Sequence, residues 1–311
     1  MKWLARAVVA LGASTRVCAA TALCGSDCRV PTTQCPTEGT NNTFCANAWN
    51  SDGKGYQCLD VGDDEQSFVA TFHWTSLPVY IVHSYPHVKL GSPLLPLQFH
   101  DIGSLQVNAE WGMNLDAGPT PAPNLTLDTA GLTKTQCRAN VALDIWADVD
   151  PAKAGNETVA GMEIMVWLGV FGDVQPLGWD KKSHNAPRLK LGDHSFTLFV
   201  GSAEAGRSTY TWMPDRNYTS FSHDISPLIQ YLWKNKLVPA DAYIGTVSFG
   251  SESFFASDPI AFTAESLLMN ITSESGVPIP VCNSPAGKHQ PPSLLSMAVS
   301  FLIPLFVLSI C

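Results

Sequence analysis

The chain has 311 residues, 14% of them charged and 10% aromatic, with 23 glycines and 22 prolines. This turn-rich, aromatic-rich composition excludes a disordered chain and a helical bundle, and it suits one large all-β domain. Acidic residues outnumber basic ones 27 to 18, so no basic surface is available to neutralise phosphates, which argues against a nucleic-acid partner.

Residues 1–20 read as a secretory signal. Lys2 and Arg6 give a basic start, Ala7 to Ala13 is a short apolar run, and Cys18 and Ala20 place small residues before a cleavage after Ala20. The domain expected to remain spans 21–274. Residues 275–292 form a polar, Pro-rich spacer with an expected attachment site near Asn283 and Ser284, and 293–311 form a hydrophobic tail. Leu294 to Ile310 is almost wholly apolar, and no basic residue follows it. This pattern resembles the signal for a glycosylphosphatidylinositol anchor, whose tail is removed. The alternative, a single-pass membrane helix, is long enough but contains Pro304 and lacks a basic stop. Lys2, Arg6, Arg16 and Lys288 fall in the terminal segments, which leaves 14 basic against 27 acidic residues.

Five Asn-x-Ser/Thr sequons, at Asn41, Asn124, Asn156, Asn217 and Asn270, fit a glycosylated surface protein on the extracellular face of a membrane. Cysteine usage fits an oxidising compartment. Cys24, Cys28, Cys35, Cys45 and Cys58 crowd the start of the mature chain and are the disulfide candidates; Cys137 and Cys282 stand apart. Spacing alone leaves the connectivity open and one thiol over. No Cys-x-x-Cys pair exists for zinc, and no predicted helix carries a His-x-x-x-His pair. No metal or cofactor is therefore expected.

Residues 21 to about 64 read as loop-rich. Short apolar stretches separated by turns then predict strands over 67–75, 79–89, 105–113, 139–147, 162–170, 189–191, 194–200, 208–213, 242–250 and 261–271. That regular spacing predicts an all-β sandwich or jelly roll. One helix interrupts it. Ile225, Leu228, Ile229, Leu232 and Trp233 recur at helical spacing, with Ser226 as the expected N-cap and Pro227 at the first helical position, so a helix over 227–236 leans on the β-scaffold.

Side chains alternate faces along a strand, and three strands share an unusual division. In Met162 to Leu168, Ile164, Val166 and Leu168 suit a core, while Glu163, Met165 and Trp167 share the other face. A carboxylate beside a thioether and an indole suits the floor of a concave groove, and an unpartnered buried charge is expensive. In Asn140 to Trp146, Val141, Leu143 and Ile145 oppose Asn140, Ala142, Asp144 and Trp146. In Thr246 to Glu252, Val247 and Phe249 oppose Thr246, Ser248, Gly250 and Glu252. An ion pair explains any one of these acids. Three together favour a carboxylate mechanism: glycosidic bonds are hydrolysed by one ionised and one protonated carboxyl. Aromatic faces for sugar rings are available from Trp49, Trp74, Trp111, Trp146 and Trp167, although core packing is the commoner role of each.

Glu163-Ile164-Met165-Val166-Trp167-Leu168 and Phe249-Gly250-Ser251-Glu252-Ser253-Phe254 resemble the two acid motifs of glycoside hydrolase family twelve, and Asp144-Ile145-Trp146 resembles its neighbouring strand. The similarity runs over about residues 45–271 and includes His83-Ser84-Tyr85-Pro86, Phe221-Ser222-His223-Asp224 and Trp49 ahead of Gln57-Cys58. Ser253 departs from the family proline. The resemblance implies a β-jelly-roll sandwich with one helix and a concave groove. It implies Glu163 as nucleophile, Glu252 as acid/base and Asp144 hydrogen-bonded to Glu163, acting with retention. Trp49, Trp74, Trp111, Met165 and Trp167 are then the expected substrate-binding residues. The implied protein is a monomeric endo-β-1,4-glucanase acting on cellulose-type, mixed-linkage or xyloglucan polymers.

Other enzyme classes lack their motifs: there is no Gly-x-Ser-x-Gly elbow and no phosphate-cradling glycine loop. The rival from another class is a lectin-like surface protein that keeps the groove without catalysis. A wall protein without a groove is disfavoured by the absence of repeats or Ser/Thr-rich stalks.

Overall fold

The structure, a computed structural model, describes residues 23–24, 28–29, 42–49, 53–63, 66–116, 125–181, 186–203 and 206–275. The expected signal, the hydrophobic tail, all of the spacer but its first residue, and Cys35, Cys282, Asn41 and Asn124 lie outside the described residues. Among the described residues no helix is long and apolar enough to cross a membrane.

Seventeen strands and three α-helices are described. The strands are β1 (Leu23–Cys24), β2 (Cys28–Arg29), β3 (Thr43–Cys45), β4 (Gly55–Val61), β5 (Phe68–Trp74), β6 (His87–Lys89), β7 (Leu97–Gln98), β8 (Ile102–Leu115), β9 (Arg138–Asp148), β10 (Met162–Phe171), β11 (Arg188–Leu191), β12 (His194–Ser202), β13 (Ser208–Pro214), β14 (Ser220–Asp224), β15 (Tyr243–Gly250), β16 (Ser253–Phe255) and β17 (Ile260–Ser273). The helices are α1 (Thr129–Lys134), α2 (Pro151–Ala154) and α3 (Ser226–Lys234). Two sheets result. One runs β1-β4-β5-β17-β8-β14; the other runs β11-β12-β13-β10-β9-β15-β6-β3-β2, with β16 on β9 and β7 on β15. All pairings within strands are antiparallel except β10 with β13, which the β11–β12 hairpin makes parallel.

The inner faces bury one core containing Phe44, Phe72, Trp74, Trp111, Leu143, Val166, Trp212, Phe249 and Phe262. Ile164, Val166 and Leu168 belong to it, as do Val141, Leu143, Ile145, Val247 and Phe249, so the expected division of faces holds on all three strands. The all-β jelly-roll sandwich holds with it. A second cluster, Ala142, Met165, Trp167, Val174 and Phe254, lies on the opposite face of the larger sheet.

Several expectations need correction. Residues 43–45 and 55–61 are strands, not loop. Only 87–89 of the expected strand 79–89 is extended ladder, because Pro78 and Pro86 interrupt donation and the intervening amides are used elsewhere: His83 N–H donates to Ser253 O and Tyr85 N–H to Asn47 O, each at 2.9 Å. Two short helices accompany the expected one. α3 runs 226–234 and is not capped by the Ser226 side chain. Asp224 accepts the amides of Leu105 and Ser226 through Oδ1 and the Ser226 hydroxyl through Oδ2, all at 2.9 Å.

Two disulfides, Cys24–Cys58 and Cys28–Cys45, each join directly opposed residues on neighbouring strands. The first pins the N-terminal arm to one sheet and the second pins it to the other. Cys137 is a buried free thiol that burial pushes up to about 12.

Candidate active site

The larger sheet holds the site on the face turned away from the core. Directly opposed residues on paired strands point to the same face, so the register defines rows across the floor. One row is Thr209–Glu163–Trp146–Thr246, from β13 through β10 and β9 to β15. The next is Thr211–Met165–Asp144–Ser248–Lys89, ending on β6. A third is Trp167–Ala142–Gly250–His87. Gly250 is required here: a Cβ would run into Pro86 O and the His87 side chain.

Glu163 is half-buried at the start of β10, where Thr209 Oγ1 donates to its Oε2 at 3.0 Å. Burial raises its affinity for a proton, while the Thr209 hydrogen bond and the Arg207 charge act against that rise. Asp144 is buried, with Oδ1 lacking a hydrogen-bond partner. Burial first, then the charges of Glu163, Glu252 and Glu157, hold its carboxyl well above the usual range, against a hydrogen bond from the Trp146 side chain. These forces keep a proton on Asp144 when Glu163 is ionised.

Glu252 follows β15 and is clamped by one residue of β9. Asn140 Nδ2 donates to Glu252 Oε2, Glu252 N–H donates to Asn140 Oδ1, and Asn140 N–H donates to Glu252 O, the last two at 3.1 Å. Burial and then the charge of Glu163 push the Glu252 carboxyl up to about 7, with the Asn140 hydrogen bond working against them. Ser253, at the position of the family proline, uses the amide that proline lacks. Its N–H donates to Ser84 O at 2.9 Å and its side chain is buried.

The aromatic residues separate. Met165 and Trp167 lie in the buried cluster on the outer face of the larger sheet, 5% and 3% exposed, and Trp49 is 38% exposed with its backbone N–H bonded to His83 O. Trp74 and Trp111 are core residues, which corrects their expected place against substrate. Trp74 Nε1 donates to Ser84 Oγ at 3.0 Å and Trp111 Nε1 to Tyr218 O at 2.8 Å, so both indoles are satisfied inside the sandwich. Trp146 lies on the floor with the Arg207 guanidinium 4.4 Å above its ring centre. Of the described sequon asparagines, Asn156 is exposed, whereas Asn217 and Asn270 are half-buried and Asn217 Oδ1 accepts the Val170 amide. Among the described residues no group of three or more His, Cys, Asp or Glu side chains is placed to hold a metal ion.

Asn140 and Thr209 were not anticipated as partners of the acids. Asn140 was legible as a polar residue on the Asp144 face. Thr209 gave no signal, since its contact depends on a parallel pairing formed across a hairpin.

The larger sheet of a two-sheet jelly roll thus carries on its outer face the kind of carboxyl pair that glycoside hydrolysis uses. The model of glycosyl hydrolase family 12 matches residues 128–272. A xyloglucan-specific endo-beta-1,4-glucanase 1 of Phytophthora sojae is 24% identical over 226 residues, covering 71% of this chain and 83% of that one. Endoglucanase A of Aspergillus kawachii is 28% identical over 228 residues, covering 70% and 82%. An inactive glycoside hydrolase of Phytophthora nicotianae is 28% identical over 120 residues, covering 39% and 47%. The catalytic domain of Humicola grisea Cel12A, solved with a thio cellotetraose, shares the fold with a TM-score of 0.63 at 22% identity, over 81% of this chain and 99% of that one.

Proposed function

We propose that the protein is a retaining endo-β-1,4-glucanase, with Glu163 as nucleophile and Glu252 as acid/base. The observation that carries this reading is the placement of both acids on the outer face of the larger sheet, where burial raises both carboxyls but only Glu163 has a cation opposing the rise. Glu163 receives the Thr209 hydrogen bond and feels the Arg207 charge, both of which favour its carboxylate. Glu252 is pushed up to about 7 and holds a proton near neutral pH. In the first step Glu163 attacks the anomeric carbon while Glu252 protonates the departing glycosidic oxygen. In the second, Glu252 takes a proton from water as that water breaks the glycosyl–Glu163 ester. Asp144, inside the fields of both acids, holds a proton that moderates the charge of Glu163 as it leaves and returns. Trp49 offers sugar rings an exposed aromatic face. The similar endoglucanase and xyloglucanase sequences support a β-glucan polymer as substrate.

The test is reducing-sugar release from carboxymethyl cellulose, barley β-glucan and xyloglucan. Wild type is expected to cleave at least one internally. Glu163→Gln and Glu252→Gln are each expected to lower turnover by about a hundredfold or more while keeping the wild-type circular dichroism spectrum. Near-normal activity in either folded variant removes that residue's role. A second reading, a glucan-binding protein without catalysis, is favoured by the inactive relative, and glucan binding without cleavage by the wild type would establish it.

A further inference from the structure

The acid-bearing floor has two cations nearby, and neither forms an ion pair with an acid of the trio. Lys89 stands on the same row as Asp144, with Ser248 between them. Two strand spacings separate their backbones, about 10 Å, a gap that a lysine side chain on the same face largely spans. Lys89 turns instead to Glu157, with Nζ and Oε1 2.6 Å apart and both side chains about one-third exposed (32% and 30%). Arg207 lies over Trp146 and donates to Glu157 O at 2.8 Å and Ala160 O at 3.0 Å. Among the described residues Asp144, Glu163 and Glu252 form no ion pair.

Glu157 is held in place by its own segment. Residues 154–160 cross the floor at the Glu163 end as a strap. Gly155 O accepts the Thr246 hydroxyl at 3.3 Å, Arg207 ties down two strap carbonyls, and Gly245 lets Ala154 and Gly155 approach where a Cβ would collide with them. The Glu157 carboxylate is therefore delivered to Lys89 by a fixed backbone.

We propose that Glu157 is a positioning residue for the three acids: by holding Lys89, it denies Asp144 a counter-ion and keeps a proton resident among the carboxyls. Released, Lys89 is the cation able to pair with Asp144. The other titratable or charged groups around the trio do not replace it. Tyr85 is a neutral phenol donating to Ala142 O, and His87 is driven down to about 4 by burial. Asp148 accepts the amides of Asp150 and Gly161, and Arg207 is committed to the strap. A lysine beside Asp144 favours its carboxylate, removes the resident proton and leaves a lasting negative charge beside Glu163. The catalytic consequence rests on the hydrolase reading; the electrostatic one does not.

The experiment is carboxyl titration by 13C NMR on the full chain, in wild type, Glu157→Gln, Lys89→Met and the double variant, beside the pH profile of kcat/KM on a soluble β-glucan. In Glu157→Gln the Asp144 midpoint is expected to fall by about one pH unit or more, as an opposite charge at close range produces, and the acid limb of kcat/KM, where Glu163 must ionise beside that charge, to move up. The double variant, which has no Lys89 to release, should return both toward wild type. Lys89→Met alone leaves Glu157 uncompensated and should raise the midpoint. An unchanged Asp144 midpoint in folded Glu157→Gln, or a shift that persists in the double variant, overturns the proposal. Activity loss without a shifted limb, as a purely structural strap would give, overturns it too. A wild type that cleaves no glucan refutes the hydrolase reading, while the titration still decides this one.

Discussion

Glu163 and Glu252 carry the same functional group and differ in what surrounds it. Burial raises both carboxyls, but at Glu163 a threonine hydroxyl and the charge of Arg207 oppose the rise, whereas at Glu252 burial and the negative Glu163 together outweigh the Asn140 hydrogen bond and bring it to about 7. The Glu252 value lies above the ~4.3 of an unfolded glutamate. Such a group contributes stability at pH below its unfolded value, and that contribution is lost as pH rises through the folded value. The melting temperature of wild type is therefore expected to decline from about pH 4 to above pH 7, and Glu252→Gln to show a shallower decline. Equal slopes in the two proteins would mean that Glu252 is not held protonated. In activity, the same group predicts a basic limb near 7, where the acid loses its proton. The three acids were legible because each broke the apolar pattern of a strand on a known parity. The core place of Trp74 and Trp111 is legible by the same parity: Trp111 falls with Leu105, Val107, Ala109 and Met113, opposite Gln106, Asn108 and Glu110, and Trp74 falls with Phe68, Ala70 and Phe72.

At the scale of the element, β9 and β10 are buried on both faces, one by the sandwich core and one by the groove floor. This is why acids survive on strands that otherwise read as interior. The loop before β6 shows the opposite case. Its composition is apolar, yet its amides serve Ser253 and Asn47 rather than a ladder, so it ties the Glu252 end of the groove to the Trp49 segment. Trp49→Ala is expected to raise KM for polymeric glucan several-fold with kcat little changed, since the exposed indole offers binding area and no proton; an unchanged KM would place Trp49 outside the groove. At α3 the capping carboxylate belongs to Asp224, one residue before Ile225. Asp224→Ala should cost about 1–2 kcal/mol in urea denaturation and Ser226→Ala clearly less. The reverse order would return the cap to Ser226.

For the molecule as a whole, the N-terminal arm supplies an edge strand to each sheet, and a disulfide ties each to the strand beside it. The Cys24–Cys58 bridge closes a separation of 34 residues, for which loop closure in the unfolded chain corresponds to about 3–4 kcal/mol. Cys24→Ser is expected to lower stability on that order while leaving the pH profile of activity in place, because the bridge sits at a sheet edge remote from the Glu163 row. A shifted profile would show instead that the arm shapes the groove.

By itself the sequence determined the all-β class, the parity of β9, β10 and β15, the three acids and the cysteine cluster. All of these are local: alternation, spacing and motif are properties of a few consecutive residues. The tertiary structure decided the partners. Asn140 reaches Glu252 across 112 residues of sequence, Thr209 reaches Glu163 across 46, and Lys89 reaches Glu157 across 68. No local pattern encodes such contacts, since strand register is chosen by the packing of both sheets at once. The chemistry was therefore named by single residues, and its proton placement was set by which strands came to lie side by side.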